Sequence, residues 1–524
     1  VPTDPLTSAA DTRPTATAVV VDGSGGARPS VTTNAELEDL VNRLANGLAE
    51  VTHRGEKLVW CGPNSLEVLA TIHAARKLQL VAVPLSYRFS SEEMAYVIDN
   101  SDATCVVVDA EYAPLLATAP SQCPKVRTWI GFEATDGAPP LPAGFRRWDD
   151  VLAGQPTSPP SPDADTSGAG QQMIYTSGTT GKPKGAVRTR TDPALIGSML
   201  GELNYLHPDG VHLTTGPLYH SGPLAFATLA FQLGHPLVVL RRFDASAWLR
   251  LVGEHRVTNT FSAPTQLKRI VSLPDAELAA ADLSSMVTLI ANAAPVPYSL
   301  KQEVVAKLGD GFLYEVYGST ELGVDCILQP ADQLRKPGSC GRPYGGIDLR
   351  IVDEEGEAVP VGTPGELFVR STLAMDGYHR TDEQLAANED DGGGWKSVGD
   401  VAYVDDEGFV YICDRKKDMI ISGGVNIYPA EIEAVLYAHP AVLDAAVFGV
   451  PDDEWGESVY AVVQAKADQD LDLDDLRAHA EAHLGGYKRP RTYELRDELP
   501  RTDSGKLLKR VLRDEHWQGR TTQV

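Results

Sequence analysis

Thr176-Ser-Gly-Thr-Thr-Gly-Lys-Pro-Lys184-Gly185 follows directly on the apolar run Met173–Tyr175. Small and glycine residues let a backbone wrap phosphate oxygens with its N–H groups. The hydroxyls of Thr176, Ser177, Thr179 and Thr180 add donors, Gly178 and Gly181 add freedom, and Lys182 and Lys184 add charge. The stretch is not the common Walker loop, which needs four residues between its glycines and Ser or Thr after its lysine. Here two residues separate Gly178 from Gly181, and Pro183 follows Lys182. A strand running into such a loop is an anion cradle carried by an α/β layer.

Outward from the loop, short apolar runs alternate with helical periods. Lys57–Cys61, Val81–Pro84 and Thr104–Asp109 read as strands. Ser65–Leu78 reads as a helix with Leu66, Leu69, Ile72 and His73 on one face. This alternation predicts an α/β fold with mostly parallel sheets flanked by helices. Gln155–Gly170 and Asn388–Gly394 read as loops or linkers from their Pro, Ser and Gly or their acidic, glycine-rich composition. After about Asp418 the pattern changes. Glu431–His439 and Leu473–Leu484 read as helices, and Val442–Val450 and Ser458–Ala465 as strands. That is enough for a small, separate α+β domain. Residues 1–20, rich in Pro, Thr and Ala at their start, are read as a flexible tail. Residues 21–416 are read as the large domain and 417–524 as the small one.

The chain has 524 residues, 43% hydrophobic and 23% charged, which is ordinary for a globular protein of several domains. Its net charge of −26 disfavours nucleic acid and anionic lipid as general partners. The six cysteines form no CxxC pair, which points away from a zinc ribbon or disulfide framework and towards a reducing, cytoplasmic setting. The most apolar stretch, Leu224–Leu240, is interrupted by Gln232, Gly234, His235 and Pro236, so stable membrane insertion is not expected. Residues 484–524 carry a local charge of +4 against −30 for the rest, a basic stretch suited to an anionic ligand.

Further segments occur in a fixed order: Tyr317-Gly-Ser-Thr-Glu321, Ser397-Val-Gly-Asp400, Asp414-Arg-Lys-Lys-Asp418, Ser422-Gly-Gly424, Pro429-Ala-Glu-Ile-Glu433 and Pro500-Arg-Thr-Asp-Ser-Gly-Lys506. Together with the Thr176–Gly185 loop they resemble the adenylate-forming superfamily, which includes acyl-CoA synthetases, aryl-CoA ligases, luciferases and nonribosomal adenylation domains. The resemblance runs from about Thr33 to Arg513. It implies a two-step reaction: a carboxylate attacks the α-phosphorus of Mg·ATP, releasing pyrophosphate, and a thiol, usually that of coenzyme A, then displaces AMP. Such chemistry needs positioning and charge neutralisation more than covalent help.

By that resemblance the Thr176–Gly185 loop holds the pyrophosphate and Glu321 binds Mg²⁺, a hard cation that prefers carboxylate oxygen. Thr320 touches the α-phosphate. Tyr317 lies against adenine, with Gly318 and Ser319 beside it. Ala291-Asn-Ala-Ala-Pro295 matches the segment next to adenine, with Asn292 and Ala293 in place of the usual glycines. Asp400 and Arg415 hold the ribose, and Lys506 neutralises charge in the first step. Lys417 matches the hinge of a mobile small domain. In the second orientation Gly423 and Gly424 line the thiol's route, and Lys488, Arg489 and Arg491 meet the coenzyme A phosphates. The segment Leu218-Tyr-His220-Ser-Gly-Pro223 approaches the acyl group, with His220 as a catalytic candidate at the pocket mouth. Ser221, Gly222, Gly323 and Val324 are read as lining, the two glycines making room for a bulky acid.

The implied substrate is a fatty, steroid or aryl acid, with ATP, Mg²⁺ and coenzyme A as cofactors and a homodimer as one allowed assembly. The alternative is an adenylating enzyme that does not use coenzyme A, loading a carrier protein or activating an unusual acid such as nitrite. Two look-alikes are set aside. His479-Ala-Glu-Ala-His483 lacks the zinc pattern, and Phe243-Asp-Ala-Ser246 is read as a helix start with Asp244 as its N-cap.

Overall fold

The computed structural model describes residues 4–160, 171–176, 183–189, 192–381, 384–388, 393–423, 425–452, 454–466, 469–501 and 507–517. Two large sheets dominate. The first has eight strands. Its parallel core orders Gln171–Thr176, Val81–Leu85, Lys57–Cys61, Ala103–Asp109, Thr128–Phe132 and Phe145–Arg147, and Lys184–Arg188 and Gly377–Tyr378 are added antiparallel at one edge. The second has nine strands. Its parallel core runs from Leu313–Ser319 through Thr288–Ala291, Asn259–Ser262, His212–Thr214 and Leu237–Val239 to Thr17–Val21. Strands buried on both faces read as unbroken apolar runs, which is why Lys57–Cys61 and Ala103–Asp109 were legible without alternation.

A third, antiparallel sheet carries Asp400–Val404 and Val410–Arg415. A fourth begins at Ile420–Ser422 and contains the long hairpin Val442–Asp452 and Gly456–Ala465. Its apolar faces, with the helices Pro429–Tyr437 and Leu473–His483, bury a core of their own around Ile432, Leu436, Val447 and Leu476. The passage from third to fourth sheet falls at residues 416–419. Asp244 caps the helix Ala245–His255 by accepting the Ala247 N–H at 2.7 Å, as its position before Trp248, Leu249 and Leu251 indicated. None of the cysteines is paired and all but Cys413 are buried.

The expected flexible tail is folded, with a helix at Pro5–Thr12 and a strand at Thr17–Val21. Asp4 caps a helix, Pro5–Thr12, whose Leu6 is fully buried, and the Asp4 carboxylate meets Arg76 at 2.5 Å. Arg76 and Lys77 end the helix Leu66–Lys77 in a buried setting, and Lys77 is satisfied by Glu38 at 2.6 Å and Asn42 at 2.7 Å. Buried cations need such partners, and the N-terminal segment supplies one of them. Of the expected linker Asn388–Gly394, Asn388 ends the strand Ala386–Asn388, and residues 389–392 lie outside the described ones.

His73 sits in the same helix with its ring centroid 4.1 Å from that of Phe231 and Nδ1 without a hydrogen-bond partner. Burial, reinforced by the neighbouring Arg76 charge, pulls the imidazole down from 6.5 to about 3. Between those limits the unfolded chain binds the proton and the folded chain does not. Stability is therefore complete above the unfolded value and falls as pH drops, with a slope of up to about 1.4 kcal/mol per pH unit from this group. His73→Leu is expected to flatten that slope between pH 6.5 and 4 in urea unfolding; an unchanged slope would show that His73 takes up its proton when folded.

Candidate active site

The strand Leu313–Ser319 runs to the edge of its sheet's parallel core and ends in the turn that carries Thr320 and Glu321. The C-terminal ends of parallel strands are where ligands bind in open α/β sheets. Gly318 is required there: a Cβ would run into the Gly323 carbonyl oxygen and lie 2.8 Å from Val324 Cα. Ser319 Oγ accepts the Leu322 N–H at 3.0 Å, which closes the turn.

Three strands of the eight-stranded sheet converge on this turn. Thr176, at the entry to the glycine-rich loop, and Tyr378 each donate a hydroxyl to Glu321 Oε1 at 3.1 Å. Arg188, four residues beyond Lys184, donates to the Thr320 carbonyl at 3.0 Å. The Thr320 hydroxyl lies 2.9 Å from that of Ser221, the first residue of the helix Ser221–Gln232. Lys184 stands over the Tyr378 ring at 5.7 Å. A carboxylate with two hydroxyls around one oxygen is an all-oxygen donor set, the kind that suits Mg²⁺. Ser177, Gly178, Thr179, Thr180, Gly181 and Lys182 lie outside the described residues.

Tyr378 escaped the sequence reading. It comes from a two-residue strand, Gly377–Tyr378, whose only local mark is a glycine. Its neighbour His379 is anchored by Asp102, Nε2 to Oδ2 at 3.1 Å, and donates its N–H to the Gly185 carbonyl at 2.8 Å. Tyr378→Phe removes one donor from Glu321. A net hydrogen bond of about 1 kcal/mol corresponds to about a fivefold fall in the rate of acid-dependent pyrophosphate release. An unchanged rate would exclude Tyr378 from orienting the carboxylate.

Beside the turn, the Tyr317 hydroxyl donates to Asp400 Oδ2 at 2.5 Å, and Arg415 Nε lies 3.4 Å from Asp400 Oδ1. Burial pushes the Tyr317 phenol far up, and the Asp400 charge adds to this, so it stays a donor. The ladder places Asp400 opposite Arg415, so the three expected adenosine contacts meet at one place. Asn292 Nδ2 donates to the Val316 carbonyl at 2.7 Å. Ala293 has φ +81°, in the left-handed region where glycine is free and alanine strained. That accounts for the glycine expected at this position; here alanine bears the strain.

Towards the expected acid pocket, His220 precedes the helix, its ring tilted against that of Tyr219 with centroids 4.3 Å apart. Gly222 does not leave open room, as the sequence reading supposed. A Cβ there would be 2.6 Å from Phe261 Cζ, so the missing side chain admits that ring instead. Gly323 has φ +96° and faces Leu373, and the Val324 carbonyl accepts the Tyr344 hydroxyl at 3.1 Å.

In the small domain the Lys417 carbonyl accepts from Arg513 at 3.3 Å, and burial lowers the Lys417 ammonium. Gly423 has φ +59° and packs on the edge of Trp455; Gly424 and Lys506 lie outside the described residues. Lys488 is paired with Glu431 at 2.7 Å, and Arg489 donates to the carbonyls of Leu484 and Glu481 at 3.0 and 2.9 Å. Lys488 would have to exchange this partner to meet a phosphate, whereas the Arg489 guanidinium has further N–H groups besides the two in these bonds. Arg491 lies over the Trp455 ring at 5.3 Å. Asp414 and Glu433 turn out to flank half-buried Lys509, at 4.0 and 2.8 Å. His479 is engaged with the Val435 carbonyl at 3.0 Å, and among the described residues it joins no metal-binding group.

Residues 6–379 match the family model of the AMP-binding enzymes, and residues 431–506 match that of the AMP-binding enzyme C-terminal domain. A feruloyl-CoA synthase of Amycolatopsis is 37% identical, over 92% of this chain and 93% of its own length. An indoleacetate–CoA ligase of Aromatoleum aromaticum is 34% identical over 91% of each chain. The solved structure of amide bond synthetase McbA from Marinactinospora thermotolerans superposes with a TM-score of 0.82 at 27% identity, covering 96% of this chain and 97% of that one. The chain belongs to the AMP-binding enzyme family and is an AMP-forming acid–thiol ligase, which activates a carboxylic acid as its acyl-adenylate and passes the acyl group to coenzyme A.

Proposed function

We propose that the acid is an aryl acid and that the turn Tyr317–Glu321 organises its adenylation. The observation that carries the residue roles is the convergence of Thr176, Tyr378 and Glu321 on one side of that turn and of Tyr317, Asp400 and Arg415 on the other. In this reading the glycine-rich loop from Thr176 to Gly185 surrounds the leaving pyrophosphate with N–H groups and lysines. Glu321, supported by the two hydroxyls, holds Mg²⁺, which when bound draws off charge from the phosphates. Thr320 and Ser221 present hydroxyls where the α-phosphate and the carboxylate meet. The carboxylate oxygen bonds to the α-phosphorus as the bond to pyrophosphate breaks. Asp400 accepts from the ribose hydroxyls with the lone pairs that Tyr317 leaves open. The thiol sulfur then attacks the acyl carbon and AMP departs.

The aryl class is supported by the acids named in the two relatives above. Unpaired, buried cysteines support a reducing compartment such as the cytoplasm, and no helix among the described residues is long and apolar enough to cross a membrane. The test is pyrophosphate release from Mg·ATP over aryl, fatty and steroid acids, with and without coenzyme A, with thioester followed by mass spectrometry. Turnover confined to aryl acids and raised by coenzyme A is expected. Faster release with fatty or steroid acids would overturn the aryl class, and an adenylate that yields no thioester would turn the reading towards a carrier protein or an amine as acceptor.

A further inference from the structure

The strand that carries Tyr317 holds a second ionisable side chain two residues earlier. Glu315 and Tyr317 leave the strand Leu313–Ser319 on the same face. Glu315 is buried, and so is Lys301 of the helix Tyr298–Leu308, whose ammonium pairs with Glu315 Oε2. Taking two charges out of water gains little over two apolar side chains of the same size, while removing one partner alone strands the other. Such a pair is a poor means of stabilising a fold, so its use lies in what else it holds.

The pair reaches two further segments. Glu315 Oε1 accepts the Val296 N–H at 3.4 Å, and Lys301 Nζ donates to the Ser339 carbonyl at 3.4 Å. Val296 lies in the loop 292–297, which leaves the strand Thr288–Ala291 and enters the helix of Lys301. This loop contains Asn292 and Ala293, the latter at φ +81°. Its near end is tied to the Tyr317 strand by Asn292 Nδ2, which donates to the Val316 carbonyl at 2.7 Å. Its far end is tied to the same strand by Glu315. Between the ties, the Ala293 N–H is taken by the adjacent Asn292 side chain.

Ser339 carries the hold onward. Its hydroxyl donates to the Val410 carbonyl at 2.9 Å, and the Cys340 N–H donates to the same oxygen at 3.0 Å. Val410 begins the strand that ends at Arg415. One buried ion pair thus connects the segments that carry Tyr317, Asn292–Ala293 and Arg415. We infer that Glu315, oriented by Lys301, is a positioning residue for the nucleotide: it fixes the loop 292–297 against the Tyr317 strand and so sets the wall on which adenine rests. The inference deepens the proposed function and rests on its reading that Tyr317, Asp400 and Arg415 face the adenosine.

Two double variants remove both buried charges and differ only at position 315. Lys301→Met with Glu315→Gln keeps an oxygen for the Val296 N–H, and Lys301→Met with Glu315→Leu does not. AMP binding is measured by calorimetry, and KM for Mg·ATP and for the acid in pyrophosphate release. The leucine pair is expected to weaken AMP binding and raise KM for ATP by about tenfold, the scale of one lost hydrogen bond of this kind. KM for the acid should stay within about twofold, and the glutamine pair should stay within about threefold of the native enzyme throughout. A purely structural role would affect both pairs alike and would not split the two KM values. Equal AMP affinity in the two pairs overturns the inference. The native protein gives a second readout that needs no variant: the Val296 amide is expected to resist hydrogen exchange as a bonded core amide does, and exchange at the rate of an exposed loop overturns the inference. Tyr317→Ala separates this failure from that of the proposed function. Unchanged AMP affinity in that variant would bring down the adenosine site itself. Weakened affinity there, beside two equal pairs, would bring down the Glu315 assignment alone.

Discussion

Lys506→Ala is expected to slow acid-dependent pyrophosphate release by about 10²–10³-fold, the usual loss when one preorganised donor to developing charge is removed. Transfer of a supplied acyl-adenylate to coenzyme A should stay within a few-fold of the native rate. The two half-reactions differ in where charge develops. In the first, negative charge moves onto the phosphoryl oxygens and pyrophosphate, where an ammonium is most useful. In the second, AMP leaves an acyl carbon and the resemblance assigns Lys506 no part. The flanks of Lys506 are held by the small domain: Arg501 is bound to Asp444, and Arg501 and Leu507 form an antiparallel bridge. A lysine carried by that domain can serve one half-reaction and be withdrawn for the other. Measuring the half-reactions separately decides the matter. Equal loss in both would mean that the substitution damages the domain or that Lys506 acts in each step.

Gly318→Ala is expected to reduce adenylation by about 100-fold or more, the scale of loss when reacting groups are misplaced by about an ångström. The new methyl group would meet backbone, the Gly323 carbonyl and Val324 Cα, rather than the end of a side chain that could swing away. The strands Leu313–Ser319 and Gly323–Leu328 would have to separate at the point where Tyr317, Thr320 and Glu321 are set. Thermal unfolding should show only a modest loss, because the clash is confined to one end of a large sheet. A variant that retains native turnover would show that the turn opens without cost and that its geometry does not govern the rate. Gly222→Ala makes a useful comparison. Its methyl group would press on the movable ring of Phe261, so a smaller loss is expected there.

Much of this protein was legible before any fold was known, because the relevant physics is local. A cap such as Asp244, an unbroken apolar strand such as Ala103–Asp109 and a glycine-rich anion loop each depend on residues within a few positions. The order of the charged segments was legible for the same reason: each is a short run whose chemistry is carried by its own side chains. The reading failed at the N-terminus, where Pro, Thr and Ala suggested fraying. Helix Pro5–Thr12 is held by Leu6 and by the Asp4–Arg76 pair, and the latter partner lies 72 residues away.

Strand–helix alternation in the sequence indicated the α/β fold class, and the order of the motifs, by its resemblance to the adenylate-forming superfamily, implied the chemistry and named Tyr317, Thr320 and Glu321 as candidates. Only the tertiary structure decided which of them meet. Thr176 reaches Glu321 across 145 residues, and Tyr378 arrives from a strand of two residues. Lys488 and Arg489, chosen from the sequence for their charge, are found already committed to Glu431 and to carbonyl groups. Asp325 carries no mark in the sequence at all. Tyr317 stands opposite Cys326 and Gly318 opposite Val324, so Asp325 faces no partner residue, and register is set by the whole ladder and what packs on it, not by the residue that it leaves unpaired.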